Sequence, residues 1–535
     1  MSLRSAVKRK ILYIITCPDS AFSHFRNVSD EIRQSQTEES RVRYGKEVRE
    51  VKICIVAEGC YPYVVGGVSG WIHSMIRNFP NIEFILLAIV ANRSQRGRFA
   101  YELPENLTEV YEVYLEDHDW QNREMKKHKF KLNKKEYRAL RSMVFNEKID
   151  WDVIFDLFCH KKFSIDELLM GPDFFHIARE CYKTHYSQIV FSDFLWTLRS
   201  IYLPLFFVLK TRVPEADLYH CVATGYAGIL GSMAKHFHRC GLLLSEHGIY
   251  TREREEELIK ADWVEGIYKN IWIEQFKKMS QAAYDRADLV TSLYQHARSL
   301  QIELGCPAEK TRVTPNGIDT GRLEELPGKK EGEQDMIQIG AVLRVTPIKD
   351  VKTMIQAFSF AKKKVPALRL FIMGPCDEDE EYAGECFELV ETLGVSDVVF
   401  TGRVDVREYL GRMDMTILTS ISEGQPLTIL ESFAAHKPVI ATDVGNCREL
   451  IYGGEDDFGT AGILTHIMNL EEITDAMVEL ARNQERRERM GENGYRRVMS
   501  KYKIEDMRKT YHGIYYDFCR KSGGAWNEEA FSVTG

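Results

Sequence analysis

The chain reads as an α/β protein built from two Rossmann-like halves, and three observations carry that reading. Short, continuous apolar runs recur along it, of the kind that form buried parallel strands. The gaps between the runs are long enough to hold a helix each. The length, 535 residues, exceeds one ordinary domain. Hydrophobic residues make up 44% and charged residues 28%, a globular composition that excludes a disordered or fibrous chain. The net charge of −8 argues against a protein that wraps nucleic acid. Twelve cysteines are scattered singly without a CxxC pair, which argues against a zinc ribbon or a disulfide scaffold and fits a reducing compartment.

The elements follow in chain order. Arg4, Lys8, Arg9 and Lys10 precede a short apolar run, ILYIIT. It ends at Cys17-Pro18-Asp19 without a small-residue cleavage site, so it reads as a strand rather than a secretory leader. Residues 51–57 (VKICIVA) form the next strand, 68–78 a helix, and 84–90 (FILLAIV) a further strand. The loop between them contains Gly66-Gly67-Val68-Ser69-Gly70, whose spacing is not GxGxxG, so a dinucleotide fingerprint is unsupported. A helical insertion is expected over about 95–200. Within it, residues 117–150 carry Lys126, Lys127, Lys129, Lys131, Lys134 and Lys135 around Phe130 and Leu132. A solvated helix is the preferred reading of that stretch, ahead of an anionic partner or membrane contact. The apolar run at 201–209 contains Pro204 and is about half of what a bilayer-spanning helix needs, so no span is expected. Strands resume at 217–221 (DLYHC) and 241–245 (GLLLS), and 289–293 (LVTSL) is expected to be the last of this half.

Residues 327–335 (PGKKEGEQD) are polar and charged and read as a linker. Beyond it, strands are expected at 336–343, 368–373, 397–400, 415–418 and 438–442, with a helix over 354–361. Near the end, Tyr511, Ile514, Tyr515 and Phe518 share one helical face, and the tail from 522 reads as frayed. The resulting division is an N-terminal domain over 1–326, a C-terminal domain over 327–505, and a terminal helix and tail over 506–535.

Two such domains predict a ligand cleft, with the functional residues in loops just after strands. After the run ending at Leu343 come Arg344 and Lys349, a pair of cations suited to a diphosphate, although alone they read equally as surface charge. After 415–418 comes Glu423-Gly424-Gln425-Pro426-Leu427, followed within one helix by Glu431. Pro426 suits a first helical turn, Gly424 admits close backbone approach, and the helix start can hold an anion. Glu423 and Glu431 read as separate acceptors of sugar and ribose hydroxyls, not as the acid and base of a glycosidase. In the first half, Gly66-Gly67 precedes a helix start and can approach phosphate or sugar. Trp71 reads as packing. His220 and His247 each follow a strand; a lone histidine is more often structural, but two at strand ends in the expected cleft favour function. The acidic stretch 377–381 reads as a helix start, and no DxD motif suggests a metal.

At these residues the chain resembles the retaining glycosyltransferases of family 4, which have the GT-B fold. Glu423 and Glu431 reproduce the E-x7-E signature, Arg344 and Lys349 the diphosphate-binding pair, Gly66-Gly67-Val68 the first-loop glycines, and 442–449 (TDVGNCRE) the later glycine segment. The segments 58–71 (EGCYPYVVGGVSGW), 220–228 (HCVATGYAG) and 246–255 (EHGIYTRERE) resemble more particularly the glycosyltransferases of Pel exopolysaccharide biosynthesis. The resemblance implies a UDP-sugar donor, UDP-glucose for the narrower group, and a growing glycan as acceptor. It implies that Glu431 holds the ribose, Arg344 and Lys349 the diphosphate, and Glu423 a sugar hydroxyl. Gly402, Arg403 and Val404 would border the base, and His247 would stand by the reacting sugar. The donor set is completed by Gly424, Gln425, Pro426 and Leu427, and His220, Tyr226, Tyr250 and Arg252 are acceptor-side candidates. Gln425-Pro426 departs from the Phe-Gly of many members, which puts the donor fit in doubt. No cofactor and no metal are implied, and the terminal helix would return to the first domain. A cytoplasmic enzyme that reaches the membrane through synthase subunits is the implied setting. Two other readings stay open: an epimerase or phosphorylase of the same fold, and a non-catalytic nucleotide-sugar sensor.

Overall fold

The computed structural model describes residues 12–15, 51–116, 130–454 and 456–521. They form two compact units. The first runs to Thr291 and includes Leu300–Arg312 and the residues from His512 onward; the second comprises Ser292–Ser299 and Val313–Tyr511.

The first unit opens with β1 (Leu12–Ile15), β2 (Lys52–Glu58), α1 (Gly67–Asn78), β3 (Glu83–Val90) and β4 (Leu107–Tyr114). A run of helices follows: α2 (Lys134–Val144), α3 (Trp151–His160), α4 (Ile165–Leu169), α5 (Pro172–His185) and α6 (Phe191–Leu209). The α/β alternation then resumes with β5 (Leu218–Cys221), α7 (Tyr226–His238), β6 (Gly241–Glu246), α8 (Tyr250–Lys260), α9 (Ile267–Arg286), β7 (Leu289–Ser292), α10 (Gln295–Glu303) and β8 (Thr311–Val313). The sheet order is β1-β4-β3-β2-β5-β6-β7-β8, and the pairs from β1 to β6 are parallel. A parallel sheet covered on both faces needs strands apolar throughout, and β2, β3 and β5 are buried along almost their whole length.

Four expectations change here. The region 95–200 begins with a strand, β4, before its helices. Glu109 and Glu112 disguise it, and Glu112 is buried because it accepts bonds from Gly97 N at 3.1 Å and the Tyr114 hydroxyl at 2.6 Å. Lys131, Lys134 and Lys135 are exposed, as a solvated helix requires, but the helices of this region also carry a buried face. Ala139, Leu140 and Met143 of α2, Phe155 and Phe158 of α3, and Phe206 of α6 join one core with Ile229 and Leu230 of α7. Lys126, Lys127, Lys129 and the tail 522–535 lie outside the described residues. The apolar run at 201–209 is the end of the 19-residue α6, whose mean hydropathy of 1.2 makes it long and apolar enough to cross a membrane by length and composition. It is half buried inside the unit, through Phe194, Leu198, Leu205 and Leu209, as a core helix is. Finally, β7 is not the last strand of the sheet, because β8 follows it.

The second unit holds β9 (Ile337–Val342), α11 (Val351–Lys364), β10 (Leu368–Met373), α12 (Glu380–Leu393), β11 (Val398–Gly402), α13 (Arg407–Leu410), β12 (Met415–Leu418), α14 (Leu427–Ala434), β13 (Val439–Thr442), α15 (Cys447–Tyr452), β14 (Gly462–Thr465), α16 (Leu470–Arg482), α17 (Gln484–Lys501) and the start of α18 (Ile504–Lys521). All five pairings of the six-stranded sheet, β11-β10-β9-β12-β13-β14, are parallel. Five strands were expected; β14 is the sixth, a four-residue run. The acidic stretch 377–381 leads into α12, with Asp379 accepting from Tyr382 N at 2.9 Å as its cap.

The segment 327–335 is no loose linker. Lys329 pairs with Asp414 at 2.7 Å and Glu333 with Arg412 at 2.5 Å, so charges that read as solvated are docked on the second unit. Arg412 holds the Glu333 carboxyl down at about 2 against the cost of desolvation. The second unit also takes in residues ahead of this segment, Ser292–Ser299 and the stretch from Val313. From His512 on, α18 belongs to the first unit, where the Tyr515 hydroxyl lies 2.8 Å from His220 Nδ1.

Arg497 of α17 shows how the second unit closes its helix ends. Its side chain is 1% exposed and binds Asp456 through two nitrogens, each at 2.8 Å. It also donates to the carbonyls of Leu450, Ile451 and Gly459. Leu450 and Ile451 lie in the last turn of α15, where carbonyls have no helical partner. Arg497→Met is expected to cost about 3–5 kcal/mol, because it strands a carboxylate and three carbonyls. Urea unfolding followed in parallel for the two proteins measures the loss.

Candidate active site

In the second sheet the chain runs outward from β9 to β10 and β11, then returns to add β12 on the other side of β9. Loops leaving β9 and β12 therefore diverge, which opens a crevice at the carboxyl ends of those strands. The polar cluster singled out from the sequence lies in these two loops.

Lys349 ends the turn after β9, and Glu423 lies in the loop after β12. Their side chains meet at 2.5 Å and are 16% and 12% exposed. Ser420, whose part the sequence did not reveal, donates to the same Glu423 oxygen at 2.5 Å. The backbone beneath is cross-linked. The Thr419 hydroxyl donates to the carbonyls of Lys349 and Asp350 at 3.0 Å, and Ile421 N to Ile348 O at 2.8 Å. Asp350 takes a left-handed φ of 48° and caps α11 through Thr353, so the turn that aims Lys349 is fixed on both sides.

The loop after β13 completes the arrangement. Gly445 has φ +53°, and a Cβ there would stand 2.2 Å from Glu423 O and 2.4 Å from Gly424 O. Only glycine lets the two loops approach this closely. Asn446 N then donates to Gly424 O at 2.9 Å. Gln425 is buried, with Oε1 accepting from Asn316 N at 2.7 Å. Gln425 Nε2 and both side-chain amide atoms of Asn446 are buried with no hydrogen-bond partner among the described residues.

α14 begins at Leu427, with Pro426 as its N-cap rather than inside the first turn. Its first amides have no helical acceptors, and no side chain caps them. Glu431 lies one turn in. Its carboxyl has no hydrogen bond or ion pair among the described residues, and burial pushes it up to about 7. A half-buried carboxylate with no partner among the described residues can accept from both hydroxyls of a vicinal diol.

The other candidates lie further out. Arg344 follows β9 but is exposed and pairs with Glu378 at 2.8 Å, not with Glu423. Arg403 follows β11 and reaches Asp377 at 3.2 Å, while Val404 packs on Phe371 and Met413. Gly402 (φ +66°) accepts from Gly374 N, and Gly374 has its own steric demand, since a Cβ there would lie 1.8 Å from Leu343 O.

In the first unit, Gly66 and Gly67 start α1, and a Cβ at either would meet nothing within 4 Å. Internal packing does not require glycine at those two positions. His220 is fully buried and bonded at both ring nitrogens, to Tyr515 and to Ser245 at 2.7 Å. Tyr226 and Tyr250 are buried as well. The Tyr250 hydroxyl donates to Glu58 at 2.9 Å, its ring lies where a Cβ on Gly225 would be, and Ala227 N donates to Glu58 at 3.0 Å. Glu58, at the end of β2, thus organises the start of α7 and α8, a role the sequence did not reveal. Arg252 is exposed. His247 is partly exposed, packs edge-on to Trp71 at 4.5 Å, and keeps Nε2 buried with no hydrogen-bond partner among the described residues. Burial pushes His247 down to about 4, so its imidazole is neutral near pH 7.

Residues 51–309 match a family described as a domain of unknown function (DUF3492), and residues 324–497 match the family of glycosyl transferases group 1. The second match lies within the second unit. Among curated relatives, the chain is 28% identical over 246 residues to N-acetyl-alpha-D-glucosaminyl L-malate synthase of Bacillus anthracis, covering 44% of this chain and 61% of that one. It is 23% identical over 318 residues to MMP alpha-(1->4)-mannosyltransferase of Mycolicibacterium hassiacum, covering 58% and 72%. Among solved structures, Anabaena HepE in complex with UDP-glucose superposes with a TM-score of 0.55 at 15% identity, over 88% of this chain and all of that one. The fold is that of the GT-B glycosyltransferases.

Glu431 yields a pH prediction. Its folded value of about 7 lies above the ordinary 4.5, so the folded protein binds the extra proton between those values. Stability therefore falls as pH rises through that window and stays low above it. Glu431→Gln is expected to be more stable than the parent at pH 8, by about 1–2 kcal/mol, with no difference at pH 4. Denaturation midpoints at the two pH values test this.

Proposed function

We propose that the chain is a retaining glycosyltransferase that moves a hexose from UDP-glucose to a growing polysaccharide, as a PelF-like enzyme of Pel-type exopolysaccharide synthesis. The reading rests above all on Glu431, a half-buried carboxylate with no hydrogen bond or ion pair among the described residues, on the helix that follows the Glu423 loop. The UDP-glucose complex of the structural neighbour HepE supports the donor class. The Pel assignment is supported by the segments at 58–71, 220–228 and 246–255.

Each group then has a role. Glu431 accepts the ribose hydroxyls. The free amides of α14 and the Lys349 ammonium meet the diphosphate, with Arg344 swinging from Glu378 to join them. Lys349 and Ser420 hold the Glu423 carboxylate in place to accept a hydroxyl of the sugar. As the bond from the anomeric carbon to the phosphate oxygen breaks, the charge left on UDP falls on these cations and amides. The acceptor oxygen bonds the anomeric carbon from the leaving-group side, and its proton passes to the departing phosphate oxygen. Neutral His247 handles a hydroxyl near the reacting carbon. The enzyme works in the cytoplasm and reaches the membrane through synthase partners.

Incubation with UDP-glucose tests the reading. UDP release that depends on added glycan supports transfer. Conversion to a different UDP-hexose would mark an epimerase, and tight binding with no turnover beside all partners would mark a sensor. Glu431→Ala should weaken UDP binding by about 1–3 kcal/mol in calorimetry. Lys349→Ala should lower kcat/KM by about two to three orders of magnitude. His247→Ala should lower kcat with UDP affinity retained; equal losses in both would assign it a packing role.

A further inference from the structure

The first unit carries a cationic lip that none of these roles uses. Residues 91–101 (ANRSQRGRFAY), between β3 and β4, hold three arginines and no acid in a chain of net charge −8. Arg96 and Arg98 are exposed, with no ion pair among the described residues. This loop leaves the carboxyl end of β3, beside the loop after β2 that carries Val64, Val65, Gly66 and Gly67.

The two loops are built as one piece. Ala100 N donates to Pro62 O at 2.8 Å. The buried Glu112 carboxylate accepts from Tyr63 of one loop and from Gly97 N of the other, and Gly97 takes φ +65° to make that turn. Tyr101 packs on Tyr61 and His73, both with ring centres at 5.2 Å. A flexible surface loop needs no buried carboxylate to hold its backbone. This one keeps Arg96 and Arg98 on a braced turn, and Val64 and Val65 stand 47% and 56% exposed beside the open glycines.

We propose that this lip binds a phosphate group carried by the sugar acceptor. Arginine suits a phosphate through paired N–H donors, and the glycines allow the sugar to approach the backbone. The acceptor role rests on the transferase reading, whereas the phosphate site does not. The site lies at the strand end that opens into α1, one turn before Trp71 and its contact with His247. That placement favours a substrate over a membrane surface.

Calorimetry with glucose 1-phosphate, in saturating UDP so that the nucleotide site is filled, tests the proposal. Binding of glucose 1-phosphate but not glucose is expected, reduced at least tenfold in the Arg96→Ala/Arg98→Ala double variant with UDP affinity unchanged. The unchanged UDP affinity also shows that the variant is folded. Equal binding by parent and variant overturns the site. So does co-sedimentation of the parent, and not the variant, with anionic phospholipid vesicles when glucose 1-phosphate does not bind. A failure of the transferase reading would show separately, as absence of UDP affinity in the parent.

Discussion

The ion pair between Lys349 and Glu423 is the contact on which the second unit's crevice depends. Removing two charges from water is expensive, and a buried pair seldom repays that cost through stability alone. Here the pair bridges the loops of β9 and β12, which the sheet topology drives apart. Ser420 supports it from the β12 side, and Thr419 ties the loop backbones below. Gly445 then lets a third loop lie against Glu423 and Gly424. Three strand ends become one rigid rim, with the uncapped start of α14 and the unpartnered Glu431 beside it.

The first unit solves the same problem with carboxylates that accept neutral donors. Glu58 gathers Tyr250 and the start of α7, Glu112 gathers Tyr63, Gly97 and Tyr114, and Glu246 accepts from Tyr284, Gln301 and Thr224. Burial raises Glu58 and Glu246, and the hydrogen bonds from these donors oppose the shift. A carboxylate with several acceptor positions can hold several loop donors at once, which suits the convergent ends of a parallel sheet.

Much of this was legible in the amino-acid order. Continuous apolar runs place β10 and β12 to the residue, because a strand buried on both faces leaves no room for polar interruption. The same rule hides β4, whose glutamates are compensated by tyrosines distant in sequence or in contact only after folding. Segment 327–335 misleads for a related reason: its charges look solvated until Asp414 and Arg412 meet them. At the site, Lys349, Glu423 and Glu431 could be picked out from their position after strands. The burial of His220, Tyr226 and Tyr250 could not, since it depends on Tyr515, Glu58 and Gly225 arriving from elsewhere in the chain.

The raised Glu431 has a thermochemical consequence. A carboxyl that titrates at about 7 is partly protonated in the free protein at neutral pH. A diol that donates hydrogen bonds selects the ionised form, so engaging a ribose expels a fraction of a proton into the medium. The heat of nucleotide binding would then carry the ionisation heat of whichever buffer takes up that proton. Buffers of different ionisation enthalpy would report different apparent heats for one affinity, and the difference would count the protons released.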